Sequence, residues 1–137
     1  MQFAYSTNAF KKYSLEETIR LIKDIGFTGV EIMADRPHLY PSDYDAAKLT
    51  QLKKNLKSLN LAVSNLNTFT LFAVGDMHHP SWIEKEPDLR RIRVAHTKEC
   101  LRLAAELECQ NISIQPGGKV EHLSPEESMQ RFLEGLD

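Results

Sequence analysis

The stretch Gly26-Phe27-Thr28-Gly29-Val30-Glu31-Ile32-Met33 joins the end of a helix directly to a buried strand. Gly26 stands where the last turn of a helix favours a residue with a left-handed backbone. β-Branched residues then alternate with Glu31, which is typical of a strand. Upstream, Ser14 and Glu17 have the spacing of a capping box and predict where the helix begins.

The same alternation of strand and helix repeats along the chain. Strands are predicted over 3–8, 27–33, 61–67 and 111–115. Helices are predicted after Ser14, over 43–59 and 88–107, and after Ser124, where Glu127 completes a second capping box. The order βαβαβαβα favours a parallel sheet with right-handed crossovers. This pattern fits an open doubly wound sheet or part of a (β/α)8 barrel, and the absence of GxGxxG and GxxxxGK[ST] motifs weakens a nucleotide-binding open sheet.

Apolar residues at helical spacing predict which side of each later helix is buried. For the second helix they are Leu49, Leu52, Leu56 and Leu59. For the third they are Leu89, Ile92, His96, Leu103 and Leu107, with His96 interpreted as a structural histidine. For the fourth they are Met129, Phe132, Leu133 and Leu136.

Size and composition indicate one globular domain over residues 1–137, with 42% hydrophobic and 26% charged residues. A net charge of −2 argues against a nucleic-acid or anionic-membrane partner. We expect no membrane span and no signal peptide, since the chain lacks both patterns. Cys100 and Cys109 have neither zinc nor redox spacing, which favours reduced thiols and a cytoplasmic location.

Several stretches resemble the xylose-isomerase-like TIM-barrel family of sugar isomerases and epimerases, whose superfamily includes AP endonucleases. They are residues 3–8, 26–33, 65–70, His79-Pro80-Ser81-Trp82-Ile83-Glu84 and Gln115-Pro116-Gly117-Gly118. The resemblance covers essentially the whole chain in the expected order. Because a TIM barrel takes about 250 residues, it implies a (β/α)4 half-barrel with parallel strands and helices on the outer face.

The resemblance also implies where the chemistry lies. In the family a divalent metal (Mn, Mg, Zn or Co) is held by carboxylates and a histidine from strands five to eight, and two of those carboxylates move the proton. We therefore expect no catalytic residue and no metal ligand in this chain, which alone should be inactive. Asn67 and Gln115 stand near the positions where the nucleases have histidine ligands, which weakens a nuclease function.

Three residues on the predicted strands are candidates for contact with a sugar. Glu31 lies near the end of strand two that faces the site in a barrel, although a buried carboxylate satisfied by a neighbour is the alternative. Asn65 and Asn67 are two residues apart and share a face of strand three. Their amides suit polyol recognition, but capping of the following loop is nearly as good an interpretation.

The loops supply further candidates. Trp82 can stack on the apolar face of a sugar, and His79 can hydrogen-bond to it. A metal role for the His78-His79 pair is disfavoured, because adjacent residues seldom converge on one ion. Gln115, ahead of a Gly-Gly pair, can border a hydroxylated or anionic ligand or simply a strand-to-helix turn. His38 and His122 also fall in loops, with nothing further to support a role.

Open sheet edges predict a partner. Four strands cut from a barrel expose two edges and one face, which favours self-association or pairing with a C-terminal half-barrel. Two functions follow from this. The first is the N-terminal half of a metal-dependent sugar or sugar-phosphate isomerase or epimerase. The second is a non-catalytic half-barrel that self-assembles or binds a small polyol.

Overall fold

Four parallel strands in sequential order form the sheet of this computed structural model, which describes residues 3–118 and 123–137. The strands are β1 (Ala4–Ser6), β2 (Gly29–Met33), β3 (Ala62–Asn67) and β4 (Ile112–Ser113). The helices are α1 (Leu15–Asp24), α2 (Ala46–Ser58), α3 (Pro87–Glu106) and α4 (Pro125–Leu136). The predicted α/β class, element order and parallel pairing are confirmed.

Local signals place the helix ends. Both predicted capping boxes form: Ser14 Oγ accepts from the Glu17 N–H at 3.2 Å, and Ser124 Oγ accepts from the Glu127 N–H at 3.2 Å. In each box the glutamate returns the contact to the serine N–H at 2.9 Å. Gly26 has a φ of +106°, which is the left-handed conformation predicted for the end of α1.

Some predicted boundaries are wrong by a few residues. β1 ends at Ser6 because Thr7–Phe10 turns into a 3₁₀ helix. α2 begins at Ala46 instead of residue 43, since the Asp45 carboxylate caps it by accepting from the Lys48 N–H at 2.8 Å. β4 keeps only two residues of the predicted five, so its pairing with β3 is short.

The core lies between one face of the sheet and helices α1, α2 and α3. Its buried members are Leu15, Ile19, Ile22, Val30, Ile32, Leu39, Leu52, Leu56, Leu61, Leu66, Leu103, Ala104, Leu107 and Cys109. Val30 and Ile32 point into this core, so Glu31 between them points to the opposite face. The helices therefore cover one face of the sheet, as the outer layer of a barrel does.

The buried sides predicted for the last two helices need correction. Leu89 and Ile92 are 40% and 39% exposed, while Arg93, Thr97 and Cys100 are buried instead. The start of α3 packs on the loop after β3, whose backbone oxygens require a donor such as Arg93. In α4, most of the predicted apolar face is exposed, namely Met129, Leu133 and Leu136.

Candidate functional site

A row of three polar side chains crosses neighbouring strands on the sheet face opposite the core. Asn65 Nδ2 in β3 donates to Glu31 Oε2 in β2 at 2.7 Å and to Ser113 Oγ in β4 at 3.0 Å. All three residues are half-buried, so the row is open to a ligand. The sequence predicts Glu31 near the carboxyl end of β2. In the structure it is the central residue of that strand, two residues before its carboxyl end.

A β-bulge in β3 creates this row. Val30 pairs with Val63, but Glu31 pairs with Asn65, so Ser64 is an extra residue in the ladder. Ser64 Oγ donates to the Val30 carbonyl at 3.2 Å, which satisfies the disrupted backbone. Without the bulge, Ser64 instead of Asn65 would be the residue of β3 paired with Glu31. The asparagine amide would then lie on the other face of the sheet, because side chains alternate along a strand.

The two asparagines of β3 have different roles. Asn65 joins the polar row, as described above. Asn67 is buried, and its Oδ1 accepts from the Phe69 N–H at 3.4 Å. Asn67 therefore makes the turn-capping contact that was the alternative interpretation of the pair.

Asp35, which the sequence reasoning missed, organises the loop over residues 68–86. It follows β2 directly, and its fully buried carboxylate accepts from the Phe72 N–H at 2.6 Å and the Ala73 N–H at 3.1 Å. It also accepts from the Arg36 N–H at 2.7 Å. A carboxylate just past the carboxyl end of a buried strand was the available signal, since loops at that end form barrel active sites.

Arg93 of α3 holds the same loop from the other side. Its Nε donates to the Pro80 carbonyl at 2.8 Å and its guanidinium to the Thr68 carbonyl at 3.2 Å. Burial lowers the pKa of Arg93, although nearby Asp35 opposes this. Asp35 and Arg93 thus fix the loop over the carboxyl ends of the strands.

The predicted loop residues contact other groups. His79 Nδ1 lies 2.6 Å from Glu84 Oε1, which also accepts from the Ser81 N–H at 2.9 Å. Trp82 is only 4% exposed and packs edge-on against Phe132 of α4, with ring centroids 5.6 Å apart. The indole is therefore almost fully covered in this structure.

Only two of the six candidates are joined by a hydrogen bond among the described residues. Glu31 and Asn65 form that pair. Gln115 lies half-buried in the segment after β4. His122 lies outside the described residues.

The histidines in the interior have structural surroundings. His96 stacks on Tyr40 with ring centroids 5.9 Å apart, and its Nε2 lies 3.5 Å from the Cys100 sulfur. Burial lowers the pKa of His96 to about 4 and raises that of Cys100 to about 12. Burial also lowers the pKa of His38. At neutral pH these groups are uncharged.

The described residues do not fit a divalent metal. Across 3–118 and 123–137, no three His, Cys, Asp or Glu side chains come together as a ligand set. In the polar row, Glu31 is the one carboxylate and the amide of Asn65 points its donor hydrogens at it. A cation there would meet those hydrogens, so the row suits a ligand with hydroxyl donors better than a metal.

The family comparison agrees with this fold. A family model described as the xylose isomerase-like TIM barrel matches residues 19–137. No curated protein matches the chain in sequence. In the described part of the chain, no helix has the length and apolar character that crossing a bilayer requires.

Solved structures of sugar epimerases and a nuclease share the architecture. A D-psicose 3-epimerase crystallised in the presence of D-fructose has a TM-score of 0.74 at 16% identity, over 99% of this chain and 46% of that one. A 3-keto-D-glucoside 4-epimerase from E. coli has a TM-score of 0.72 at 19% identity, over 99% and 49%. An AP endonuclease of family 2 from Brucella melitensis has a TM-score of 0.63 at 22% identity, over 98% and 48%. The chain therefore spans about half the length of the structures it matches, and the predicted (β/α)4 half of a TIM barrel is confirmed as its fold.

Proposed function

This chain belongs to the xylose isomerase-like TIM-barrel family, and we propose that it forms the N-terminal half of a metal-dependent sugar or sugar-phosphate isomerase or epimerase. The row Glu31–Asn65–Ser113 carries the proposal, because it places polar groups on the sheet face that lines the interior of a barrel. In this proposal the chain supplies barrel wall and sugar-contacting groups. The metal ligands and the acid–base carboxylates belong to the other half.

The free atoms of the row suit a neutral polyol. Both N–H groups of the Asn65 amide are used by Glu31 and Ser113. Within the described residues, Glu31 Oε1 and Asn65 Oδ1 have no hydrogen-bond donor and are free to accept from hydroxyl groups. A bond to an ionised carboxylate is stronger than one between neutral groups, so Glu31 would contribute most of the affinity.

Metal dependence is a proposal about the complete barrel. The polar row offers a single carboxylate, Glu31, which does not hold a divalent cation by itself. No step of a reaction is therefore assigned to residues of this chain, and the chain alone is expected to be inactive.

A partner is part of the proposal. β1 pairs only with β2 and β4 only with β3, so both outer strands have an open side among the described residues. Phe3 before β1, Tyr5 within it and the apolar residues of α4 are exposed. A C-terminal half-barrel or a second copy would cover them.

The alternative is a non-catalytic half-barrel that self-assembles or binds a small polyol. The exposed apolar face of α4 favours it, since a second copy would bury that face without any further sequence. For both functions we propose a cytoplasmic location, which the two buried, unpaired thiols of Cys100 and Cys109 support.

Calorimetry with D-fructose as the probe tests the sugar-contacting role. Glu31→Gln should weaken D-fructose binding about tenfold, because the charged acceptor is lost while the shape is kept. Glu106→Gln, a change at an exposed glutamate of α3, is the matched control and should leave binding unchanged. No saturable binding by the parent chain, or equal weakening by both variants, would contradict the proposal.

Light scattering and an activity assay separate the two functions. Turnover of D-fructose that requires both a C-terminal half-barrel and a divalent metal would support the isomerase or epimerase function. A discrete dimer that binds D-fructose without turnover, with and without added metal, would support the non-catalytic half-barrel instead.

A further inference from the structure

A basic groove runs between α3 and α4 on the helical side of the fold. Its volume is about 530 Å³, within the range of small-molecule sites. Four of its side chains are cationic, Arg90, Arg91, Lys98 and Arg131, and Glu134 is the one carboxylate. The groove shares no residue with the polar row on the opposite face of the sheet.

Two of the guanidinium groups that line this groove converge on one neutral oxygen. Arg90 donates to the Glu84 carbonyl at 2.5 Å, and Arg131 donates to the same carbonyl at 3.2 Å. Arg90 also reaches the Lys85 carbonyl at 3.2 Å. Two like charges held this close repel each other, and a carbonyl oxygen offsets only a small part of that repulsion.

The carboxylates nearby compensate this pair only in part, since Glu127, one turn before Arg131, attracts the Arg131 guanidinium from beyond ion-pair distance. Among the described residues, Arg90, Arg131 and Lys98 have no carboxylate within 4.0 Å. Arg91, by contrast, pairs with Asp88. The Glu134 carboxylate accepts from Gln130 Nε2 at 3.0 Å.

The packing of α4 on the Trp82 side chain fixes the convergence. Phe132 meets the indole edge-on, and a Cβ at Gly135 would lie only 2.7 Å from Trp82 Cε3. Glycine at 135 thus allows α4 to approach the loop closely enough for Arg131 to reach the Glu84 carbonyl. The two guanidinium groups are brought together by the packing of α4 on the buried Trp82 side chain, which distinguishes them from isolated arginines on a surface.

We propose that this groove binds a phosphorylated small molecule through Arg90 and Arg131, with Lys98 as a further cation. The planar donor fork of arginine matches the oxygens of a phosphate, and a multiply charged phosphate offsets the repulsion between the two groups. The groove is large enough for a sugar phosphate or a nucleotide, so the phosphate is the recognised group and the rest of the ligand fills the remaining volume.

Tryptophan fluorescence gives a direct readout, because Trp82 is the only tryptophan of the chain and lines the groove. Titration with inorganic pyrophosphate at low ionic strength should change its emission saturably. Arg90→Gln should weaken pyrophosphate binding about tenfold, since it removes one charge-assisted contact. Arg102→Gln is the matched control on the same helix, outside the groove, and should leave binding unchanged.

A second variant separates binding from folding. Arg131 and Arg90 both contact the Glu84 carbonyl, so their replacement alters packing as well as charge. Lys98 is exposed and lines the groove, so Lys98→Gln changes charge alone and should weaken pyrophosphate binding about threefold. No saturable change in the parent chain, unchanged binding in both Arg90→Gln and Lys98→Gln, or equal weakening by Arg102→Gln would overturn the proposal.

Discussion

Helices α1 and α4 begin with the same capping box but differ in how they are packed. In α1, Leu15, Thr18, Ile19 and Ile22 are buried. In α4, every residue of which is described, none is buried. The adjoining strands differ in the same way, since β2 pairs with β3 over five residues and β3 pairs with β4 over two.

The difference between α1 and α4 shows that a segment determines its own helix start, whereas burial of its apolar face needs a neighbouring element. A capping box joins residues three apart, so it forms wherever the helix forms. Burial requires a second surface, and α1 has the sheet and α2. Helix α4 instead rests on Trp82 through Phe132 and Gly135, and Arg131 donates to the Glu84 carbonyl, contacts that leave its apolar face open. This chain covers 46% and 49% of two solved structures that share this fold, so those proteins are about twice as long. The apolar face of α4 is therefore the region in which a partner should have its largest effect.

The largest expected effect comes from a matched pair of leucine truncations. Leu15 is 1% exposed and Leu133 is 53% exposed. Leu15→Ala should lower the free energy of unfolding by about 3–4 kcal/mol, because it leaves a cavity in the core. Leu133→Ala should lower it by less than about 0.5 kcal/mol in the monomer. Urea unfolding measures both, and an equal loss at all protein concentrations would contradict the difference between the two helices.

A pH titration examines the well-packed region. The pKa of His96 is about 4, lowered by burial and further by Arg93, against 6.5 for an ordinary histidine. Between these values the unfolded chain binds a proton that the folded chain does not. The free energy of unfolding should therefore fall as the pH is lowered from 6.5 to 4, with His96 contributing up to about 3 kcal/mol.

Two variants, His96→Leu and His78→Leu, test whether His96 causes this pH dependence of the free energy of unfolding. The first should flatten the stability curve between pH 6.5 and 4, because a leucine takes up no proton. The second makes the same substitution at an exposed histidine of the loop and is the control for it. An unchanged slope in His96→Leu would show that other groups, such as His38 or the carboxylates, account for the loss in acid.

Asp35 connects the well-packed region to the loop. Asp35→Asn should lower the free energy of unfolding by about 2 kcal/mol, because an amide cannot accept from all three backbone N–H groups. It should also speed hydrogen exchange at Phe72 and Ala73. Asp24→Asn at the exposed end of α1 is the matched control. If exchange at these two amides is unchanged, Asp35 does not fix the loop.

The parts of the fold that were predictable depend on short-range spacing. The capping boxes, the left-handed Gly26 and the alternation around Glu31 involve residues at most four apart, and each was found where predicted. Strand β4 and the start of α2 were placed less well, because their ends depend on pairing and on a competing cap at Asp45.

The site was less predictable because it depends on contacts between distant residues. Glu31 and Asn65 are 34 residues apart, and their pairing depends on a bulge at Ser64 that no local pattern indicates. The residue type of Trp82 predicts a surface on which a sugar can stack. Its actual contact is with Phe132 of α4, about 50 residues later in the chain. Leu89 and Ile92 were read as buried from helical spacing, whereas the loop requires the donor of Arg93 on that side.

The smallest expected effect comes from the capping boxes themselves. Ser14→Ala should lower the free energy of unfolding by about 1 kcal/mol, because α1 unfolds only with the core. Ser124→Ala removes the same contact, but α4 has no buried residue, so local opening should absorb the loss. The global change should then be below about 0.3 kcal/mol, an amount typical of surface changes. Hydrogen exchange in the first turn of α4 should nevertheless rise several-fold. An equal global loss in both variants would place α4 in the same cooperative unit as α1 and would imply that its apolar face is covered in solution.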